Sequence, residues 1–306
     1  MPKRILITGA SGFVGRLLAR RLSEDGFEVR CLLRLPGTDP AAELEGLGCE
    51  IAVADLTRPT GLAAALDGVE VAYFLVHMVG DGEDYPAIER AAAARFARAA
   101  RDAGTSRIIY LGGLGDSETS RHLAARREVA EALAAEGPAL THFRAAMVIG
   151  PGSESYELLR GIAKKLPALP APDWLETETQ PIGARDVVAY LREALDVPES
   201  AGREIEIGGP EVLTHLDVVG EMARALGRRP PRLIPISAAV ARPATVAAGA
   251  AAVTPGTPEV AAEISLGLTT PTVIGDPSGA ELFSIRPRRI DAVLAEAIDA
   301  PAPVGS

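Results

Sequence analysis

Aromatic side chains make up only 4% of this 306-residue chain, and Trp174 is its single tryptophan. A core with so few rings has to be aliphatic and rich in alanine, which suits helices lying close on a sheet. Cysteine is nearly missing too. Cys31 lies in an apolar strand-like run and Cys49 at the start of another, so two buried reduced thiols are expected, and no metal-ligand spacing exists. Positive charge is in deficit, with 31 Lys and Arg against 41 Asp and Glu for a formal net charge of −10. Nucleic acid and anionic membrane surfaces want a basic face, and both are excluded as expected partners. The arginine-rich stretches 95–107 and 121–127 alternate with alanine or carboxylates and read as helix faces rather than a patch. The most lipophilic stretch of the later chain, residues 238–253, is mostly alanine and is broken by Arg242, Pro243 and Gly249, so no membrane span is expected. The chain runs straight from its first residues into a strand-like segment, which predicts no secretory leader and a cytoplasmic location.

What is present is 47% hydrophobic and 24% charged, ordinary for a globular chain of one large or two smaller domains. In the first half, short β-branched or leucine runs at 4–7, 28–33, 50–53, 71–76, 107–111 and 140–143 alternate with helical periods at 12–24, 41–47, 62–66, 85–103 and 121–135. Gly104 and Gly137 stand where the last two helices should stop. This alternation predicts an α/β fold, a Rossmann-type doubly wound parallel sheet over residues 1–150, with ligands at the carboxyl ends of its strands. After Gly150-Pro-Gly152 the pattern changes. Residues 151–180 hold four prolines, Trp174 and the acidic run 173–178, and read as loops with short helices. A helix at 186–195, a strand at 204–207 and a helix at 216–226 follow, then a tail from Pro230 rich in Pro, Ala and Gly. Residues 151–306 are thus expected to form a small, mixed substrate-binding or cap region, with the elements near 181–226 packing back on the first domain.

The segment Thr8-Gly-Ala-Ser-Gly-Phe-Val-Gly15 follows the first apolar run and opens an amphipathic helix. Such a turn points backbone N–H groups and the positive end of a helix dipole at a phosphate. Gly9 can take the positive φ of a tight turn, Gly12 lets backbone approach a pyrophosphate, and Gly15 lets the helix lie on the strand. Ser11, Phe13 and Val14 complete that corner. Roughly twenty residues on, an NAD site usually carries an acid for the ribose 2′-hydroxyl. Here Arg34 stands in its place, so the expected cofactor is NADP(H) in preference to NAD(H), unless Arg34 is merely the first solvated residue of a loop. Asp55 closes the third strand, where it either accepts from an adenine amino group, with Leu56 against the ring, or caps the next short helix. Val76 and His77 close the fourth strand, where backbone would line the cofactor and His77 is a supporting polar residue.

Taken together, the glycine motif, Asp55-Leu56, the run 107–113, Arg144 with Gly150-Pro151, and Asp186-Val187 resemble the extended and atypical short-chain dehydrogenase/reductases. Within that superfamily the chain looks like the NmrA-like and complex-I-39-kDa-like NAD(P)-binding proteins. The resemblance covers most of residues 3–225. It implies a Rossmann domain with a small substrate-binding region and, for many atypical members, a preference for NADP(H). Catalytic members carry a Ser or Thr after the fifth strand and Tyr-x-x-x-Lys on the next helix. This chain departs at each position, with Gly112-Gly113 for the serine and His122-Leu-Ala-Ala-Arg126 for the Tyr–Lys pair. Arg126 could donate to the nicotinamide ribose but cannot relay protons. His122 could act as a general acid, or be a helix-start residue in a site needing none. Gly112, Gly113, Arg126 and Ile149 join the candidate cofactor contacts. Tyr85 and Tyr156 are other phenols near the cleft, and Trp174 either walls a substrate pocket built around residues 113–117 and 149–156 or anchors its own loop.

The residues therefore support two functions. One is an NADP(H)-dependent oxidoreductase passing hydride to a small organic substrate without the usual triad. The other is a non-catalytic NADP(H)-binding sensor or structural protein. A nucleotide-sugar epimerase or dehydratase needs the Tyr–Lys pair and is disfavoured.

Overall fold

The computed structural model describes residues 3–77, 84–115, 120–236 and 268–299. Along the chain, β1 (Arg4–Thr8), α1 (Phe13–Glu24), β2 (Glu28–Leu33), α2 (Asp39–Gly46), β3 (Glu50–Val53), α3 (Leu62–Leu66), β4 (Val71–Phe74), α4 (Tyr85–Asp102), β5 (Arg107–Gly113), α5 (Arg121–Glu136) and β6 (Ala139–Ala145) alternate. They are followed by β7 (Val148–Ile149), α6 (Glu154–Lys165), β8 (Ala168–Pro172), β9 (Glu178–Thr179), β10 (Ile182–Gly183), α7 (Ala184–Glu193), β11 (Glu204–Ile207), β12 (Leu213–Thr214), α8 (His215–Ala225), β13 (Arg232–Ile236) and α9 (Ile290–Asp299).

Seven strands form one sheet in the order β11-β6-β5-β4-β1-β2-β3, and each pair is parallel. The chain winds outward from β1 through β2 and β3, then returns to lay β4 on the other side of β1. That reversal opens a crevice above the carboxyl ends of β1 and β4, where doubly wound sheets bind ligands. Both faces of the sheet are covered, so its strands are apolar on both sides. Ile5, Ile7 and Tyr73 face a layer with Leu18 and Leu22 of α1 and Val187 and Leu191 of α7. Leu6, Phe74 and Ile108 face the opposite layer, with Leu66 of α3, Phe96 of α4 and Leu133 of α5. Each such side chain contributes about 1.5–3 kcal/mol of burial.

Buried polar tethers tie the later chain to the sheet. The Tyr73 hydroxyl donates to the Leu191 carbonyl at 2.8 Å. The Arg107 guanidinium donates to the carbonyls of Ala194 at 2.6 Å and Val197 at 3.2 Å, and to Ser200 Oγ at 3.1 Å. A third apolar cluster joins Ile149 to Tyr156 and Leu159 of α6, Val218 and Met222 of α8, and Val293 and Leu294 of α9.

Several elements differ from the sequence expectation. Residues 151–180 hold a 12-residue helix, α6, started by Ser153, whose hydroxyl accepts from the Tyr156 N–H. β4 ends at Phe74 rather than 76, whereas β5 and β6 run on to Gly113 and Ala145 because they pair with each other to their ends. About half of the tail from Pro230 lies outside the described residues; within the rest, Arg232–Ile236 forms β13, residues 277–282 a 3-10 turn and Ile290–Asp299 a helix. Cys31 and Cys49 are both buried and free. No helix among the described residues is long and apolar enough to cross a membrane.

Candidate functional site

The glycine corner sits at the open end of that crevice. Gly9 adopts φ +70°, and a Cβ there would lie 2.5 Å from the Leu75 carbonyl oxygen. A Cβ on Gly15 would lie 2.2 Å from the Gly9 oxygen, so the first turn of α1 rests directly on the loop. Gly12 is extended and caps α1 with no side-chain acceptor, and Gly9 O is the one atom a Cβ there would approach, at 3.2 Å. The first N–H groups of α1 are therefore left open at the positive end of a 12-residue helix, with no acidic residue in the first turn. Thr8 pins the corner from below: its Oγ1 donates to the Tyr73 carbonyl at 3.1 Å and accepts from the Leu75 N–H at 3.3 Å.

At the end of β2, Arg34 is exposed, and its charge helps hold the neighbouring Asp55 carboxyl below the usual range. The main cause at Asp55 is a turn: the Thr57 hydroxyl and N–H donate to Oδ1 at 2.7 and 2.8 Å. Asp55 thus closes a local turn just after β3 and does not cap the next helix, α3, whose N-cap is Gly61. Leu56 is 5% exposed, with its side chain in the core, and its carbonyl accepts from Arg95 Nη1 at 2.6 Å. That side chain is not presented to an adenine ring. Val76 packs partly into the same core.

Residues from three elements meet beside the crevice. Arg126 donates from Nε to His122 Nε2 at 2.9 Å, one helical turn away on α5. Its Nη1 lies 3.0 Å from His77 Nε2, three residues past the end of β4. A guanidinium can only donate, so both imidazole Nε2 atoms accept and both rings are neutral, protonated on Nδ1. Desolvation and the Arg126 charge lower the His77 pKa well below the ordinary value, and desolvation, Arg126 and His77 push that of His122 down to about 3. His77 Nδ1 in turn faces Oε1 of the buried Glu89 of α4, 3.7 Å away. Gly113 makes room for this array, because a Cβ there would lie 2.7 Å from Leu123 and 3.3 Å from Arg126. Arg144 anchors the loop after β5 by donating to the carbonyls of Gly115 at 2.7 Å and Gly113 at 3.4 Å. It also pairs with Glu204 and Glu206 of β11.

The far wall comes from the chain after β7. A Cβ on Gly150 would lie 2.8 Å from the Phe13 ring, so this segment crosses directly over the start of α1. Ile149 is 1% exposed and committed to the third cluster, which leaves only its backbone for a ligand. Tyr156 is buried and its hydroxyl donates to the Ala297 carbonyl at 3.1 Å, while the Tyr110 hydroxyl donates to the Arg126 carbonyl at 3.2 Å. Trp174 is partly buried in a 3-10 turn, Asp173–Glu176. Of the pocket anticipated at 113–117, residues 116 and 117 lie outside the described residues.

The sequence model of the NmrA-like family matches residues 1–240. The chain belongs to the NmrA-like family. Among its relatives, ceramide reductase of Caulobacter vibrioides is 32% identical over 173 residues, 54% of this chain and 53% of that protein, so the match spans about half the relative's length. The NAD(P)H azoreductase of Xenophilus azovorans is 28% identical over 251 residues, 80% of this chain and 81% of the relative. In solved structures the same fold recurs in the triphenylmethane reductase of Citrobacter sp. complexed with NADP(H). That structure superposes with a TM-score of 0.75 at 17% identity, covering 96% of this chain and 99% of the other.

Two residues of this NmrA-like site escaped the sequence reading. Glu89 sits on an alanine-rich helix with no motif around it, and only the fold brings it under His77. Glu154, the first residue of α6, is near enough to Arg126 for the guanidinium to draw its pKa down, although desolvation, the larger effect, raises it. Its one signal was its place just after the capping Ser153, and no spacing ties it to residue 126.

Proposed function

We propose that this chain is an NADP(H)-dependent reductase that passes hydride to a small organic acceptor and lacks the Ser–Tyr–Lys triad of related dehydrogenases. The observation that carries the reading is the Gly9–Gly15 corner: its geometry excludes side chains at Gly9 and Gly15 and leaves the α1 N–H groups open for a diphosphate. Arg34 supports the choice of NADP(H), since it forms no hydrogen bond or ion pair among the described residues and is available to a 2′-phosphate. The names of relatives that are reductases, one of them NAD(P)H-linked, support the reaction class.

In this reading the corner holds the diphosphate, Arg34 the 2′-phosphate, and backbone at Val76, His77 and Gly112–Gly113 lines the path to the nicotinamide end. Arg126 donates to the ribose there, held in place by His77 and His122. The bound cofactor supplies the hydride. The chain supplies orientation and electrostatics, and positioning of this kind can carry much of a rate enhancement. A proton-donating role for His122 requires an imidazolium at neutral pH, which its surroundings disfavour, so we assign it to orienting Arg126. Fluorescence titration with NADPH, followed by a screen of quinones, enones and azo dyes for loss of NADPH absorbance, tests the assignment. Micromolar NADPH binding with turnover of one acceptor is expected. Tight binding with no turnover across the panel would make the chain a cofactor sensor instead, and absence of binding would overturn the reading altogether.

A further inference from the structure

Arg126 stands at the superfamily's lysine position, and two neutral rings hold it there. Its Nε donates to His122 Nε2 at 2.9 Å, and its Nη1 lies 3.0 Å from His77 Nε2. Among the described residues no carboxylate forms an ion pair with it, so these lone pairs fix the guanidinium, with Gly113 packed against its stem. An imidazole accepts at Nε2 only while its proton sits on Nδ1. Free histidine prefers the opposite tautomer, and inside a protein the choice is set by what the other nitrogen meets. At His77 the wrong choice would set an N–H against the N–H groups of Arg126.

Glu89 meets that other nitrogen. It lies on the buried face of α4, 3% exposed, on the same side as Tyr85, Ala92, Ala93 and Phe96. Packing alone would favour an apolar residue there, because a buried carboxylate is costly unless it is compensated. Its Oε1 lies 3.7 Å from His77 Nδ1, the ring nitrogen that Arg126 does not use. At that distance the contact is longer than a hydrogen bond and acts as the attraction of a carboxylate for the N–H end of the ring. Carboxylate, imidazole and guanidinium thus stand in series, drawn from α4, the segment after β4 and α5. Opposite charges on the two sides polarise the neutral ring in the same sense and strengthen both contacts.

We propose that Glu89 is the positioning residue of this site: by keeping the His77 proton on Nδ1 it presents Nε2 to Arg126 and fixes the guanidinium beside the nicotinamide ribose. The link to the ribose rests on the reductase reading, whereas the pairing of Glu89 with His77 does not. Glu89 touches no ligand, and no proton moves along the series. Its effect on the cofactor passes entirely through the tautomer of one ring.

Nitrogen-15 labelling of histidine in the ligand-free chain reads that tautomer, because protonated and bare ring nitrogens resonate far apart. The His77 signals, among those of four histidines, are identified by their loss in His77→Asn. Nδ1 is expected to carry the proton, and a proton on Nε2 overturns the proposal. Glu89→Met keeps the length of the side chain and removes the acceptor. It should shift the His77 proton to Nε2 and raise the NADPH dissociation constant about tenfold, the scale of a lost hydrogen bond to a charged group. Glu89→Gln keeps a carbonyl oxygen and should retain the tautomer, with NADPH affinity within about threefold. A residue that merely fills space would leave the tautomer unmoved in Glu89→Met, and that result refutes the positioning role. A shifted tautomer with unchanged NADPH affinity overturns the link to the ribose. If the unaltered chain binds no NADPH, the reductase reading falls, while the tautomers still decide the pairing. Should Glu89→Met not fold, His77→Asn takes its place: a loss of NADPH affinity of about tenfold supports the series, and unchanged affinity overturns it.

Discussion

Arg34→Glu separates the two nicotinamide cofactors on a single charge. The side chain is exposed at the end of β2, so replacing it breaks no internal hydrogen bond and fills no cavity. A 2′-phosphate carries about −1.5 to −2 charges at neutral pH. At about 4 Å in a medium of effective dielectric near 60, each unit pair is worth about 1.4 kcal/mol. Loss of the cation should then cost about 2 kcal/mol, and reversal of its sign about twice that, before salt screening trims both. Arg34→Ala is expected to weaken NADPH binding about tenfold to thirtyfold, and Arg34→Glu by a further tenfold or more. NADH has only a hydroxyl there, so its affinity should move less than about threefold in either variant. Tryptophan-to-nicotinamide energy transfer, or calorimetry where Trp174 is too distant, gives both constants. The NADPH loss should also shrink as salt rises from 50 to 500 mM. If NADPH and NADH affinities fall together, Arg34 does not contact the 2′-phosphate and the NADP(H) preference has lost its physical basis.

Three other perturbations follow from named contacts. Gly15→Ala places a Cβ within 2.2 Å of the Gly9 oxygen, so α1 must shift and affinity for both cofactors should drop at least tenfold; unchanged binding would show that the corner does not hold the diphosphate. Arg107→Met strands the buried carbonyls of Ala194 and Val197 and should cost about 2–4 kcal/mol in urea unfolding, a loss under 1 kcal/mol being incompatible with the tether. His215 is 5% exposed and its pKa is pushed down to about 4 by burial, so the unfolded chain binds a proton there below pH 6.5 that the folded chain refuses. Stability is therefore full above pH 6.5 and falls as pH drops toward about 4, by up to about 1.4 kcal/mol per unit from this residue. His215→Gln should flatten that slope, and an unchanged slope would refute its origin.

What the sequence made readable was whatever is encoded within a few residues. β1, the glycine turn and α1 announce each other over twenty positions, and His122 and Arg126 share a helix face at i and i+4. The strand order β11-β6-β5-β4-β1-β2-β3 follows from alternation and right-handed crossovers. The two-residue strands after β6 carry too few side chains to show a period, whereas the strand at 204–207 is legible in the sequence and is β11. α6 was hidden by prolines on both sides, although Ser153 at its start, Glu154 and Glu157 in its first turn and Lys164 and Lys165 in its last mark a capped helix. At Leu56 and Ile149 position at a strand end suggested a ligand contact, while the direction of both side chains is into cores, which leaves only backbone to face a ligand.

The arrangement around Arg126 shows why a site can stay illegible when each part is visible. His77 lies 49 positions from Arg126 and Glu154 a further 28 in the other direction, and each belongs to a different crossover of the sheet. A tyrosine and a lysine four residues apart can announce proton transfer because both functions sit on one helix turn. Here the helix retains only a fixed cation and a neutral imidazole, and the other groups arrive from β4, α4 and α6. The loss of the Tyr–Lys pair from α5 leaves the glycine corner at the other end of the crevice untouched, so binding of NADPH and turnover are separable outcomes, and the absent pair cannot by itself be read as loss of the cofactor.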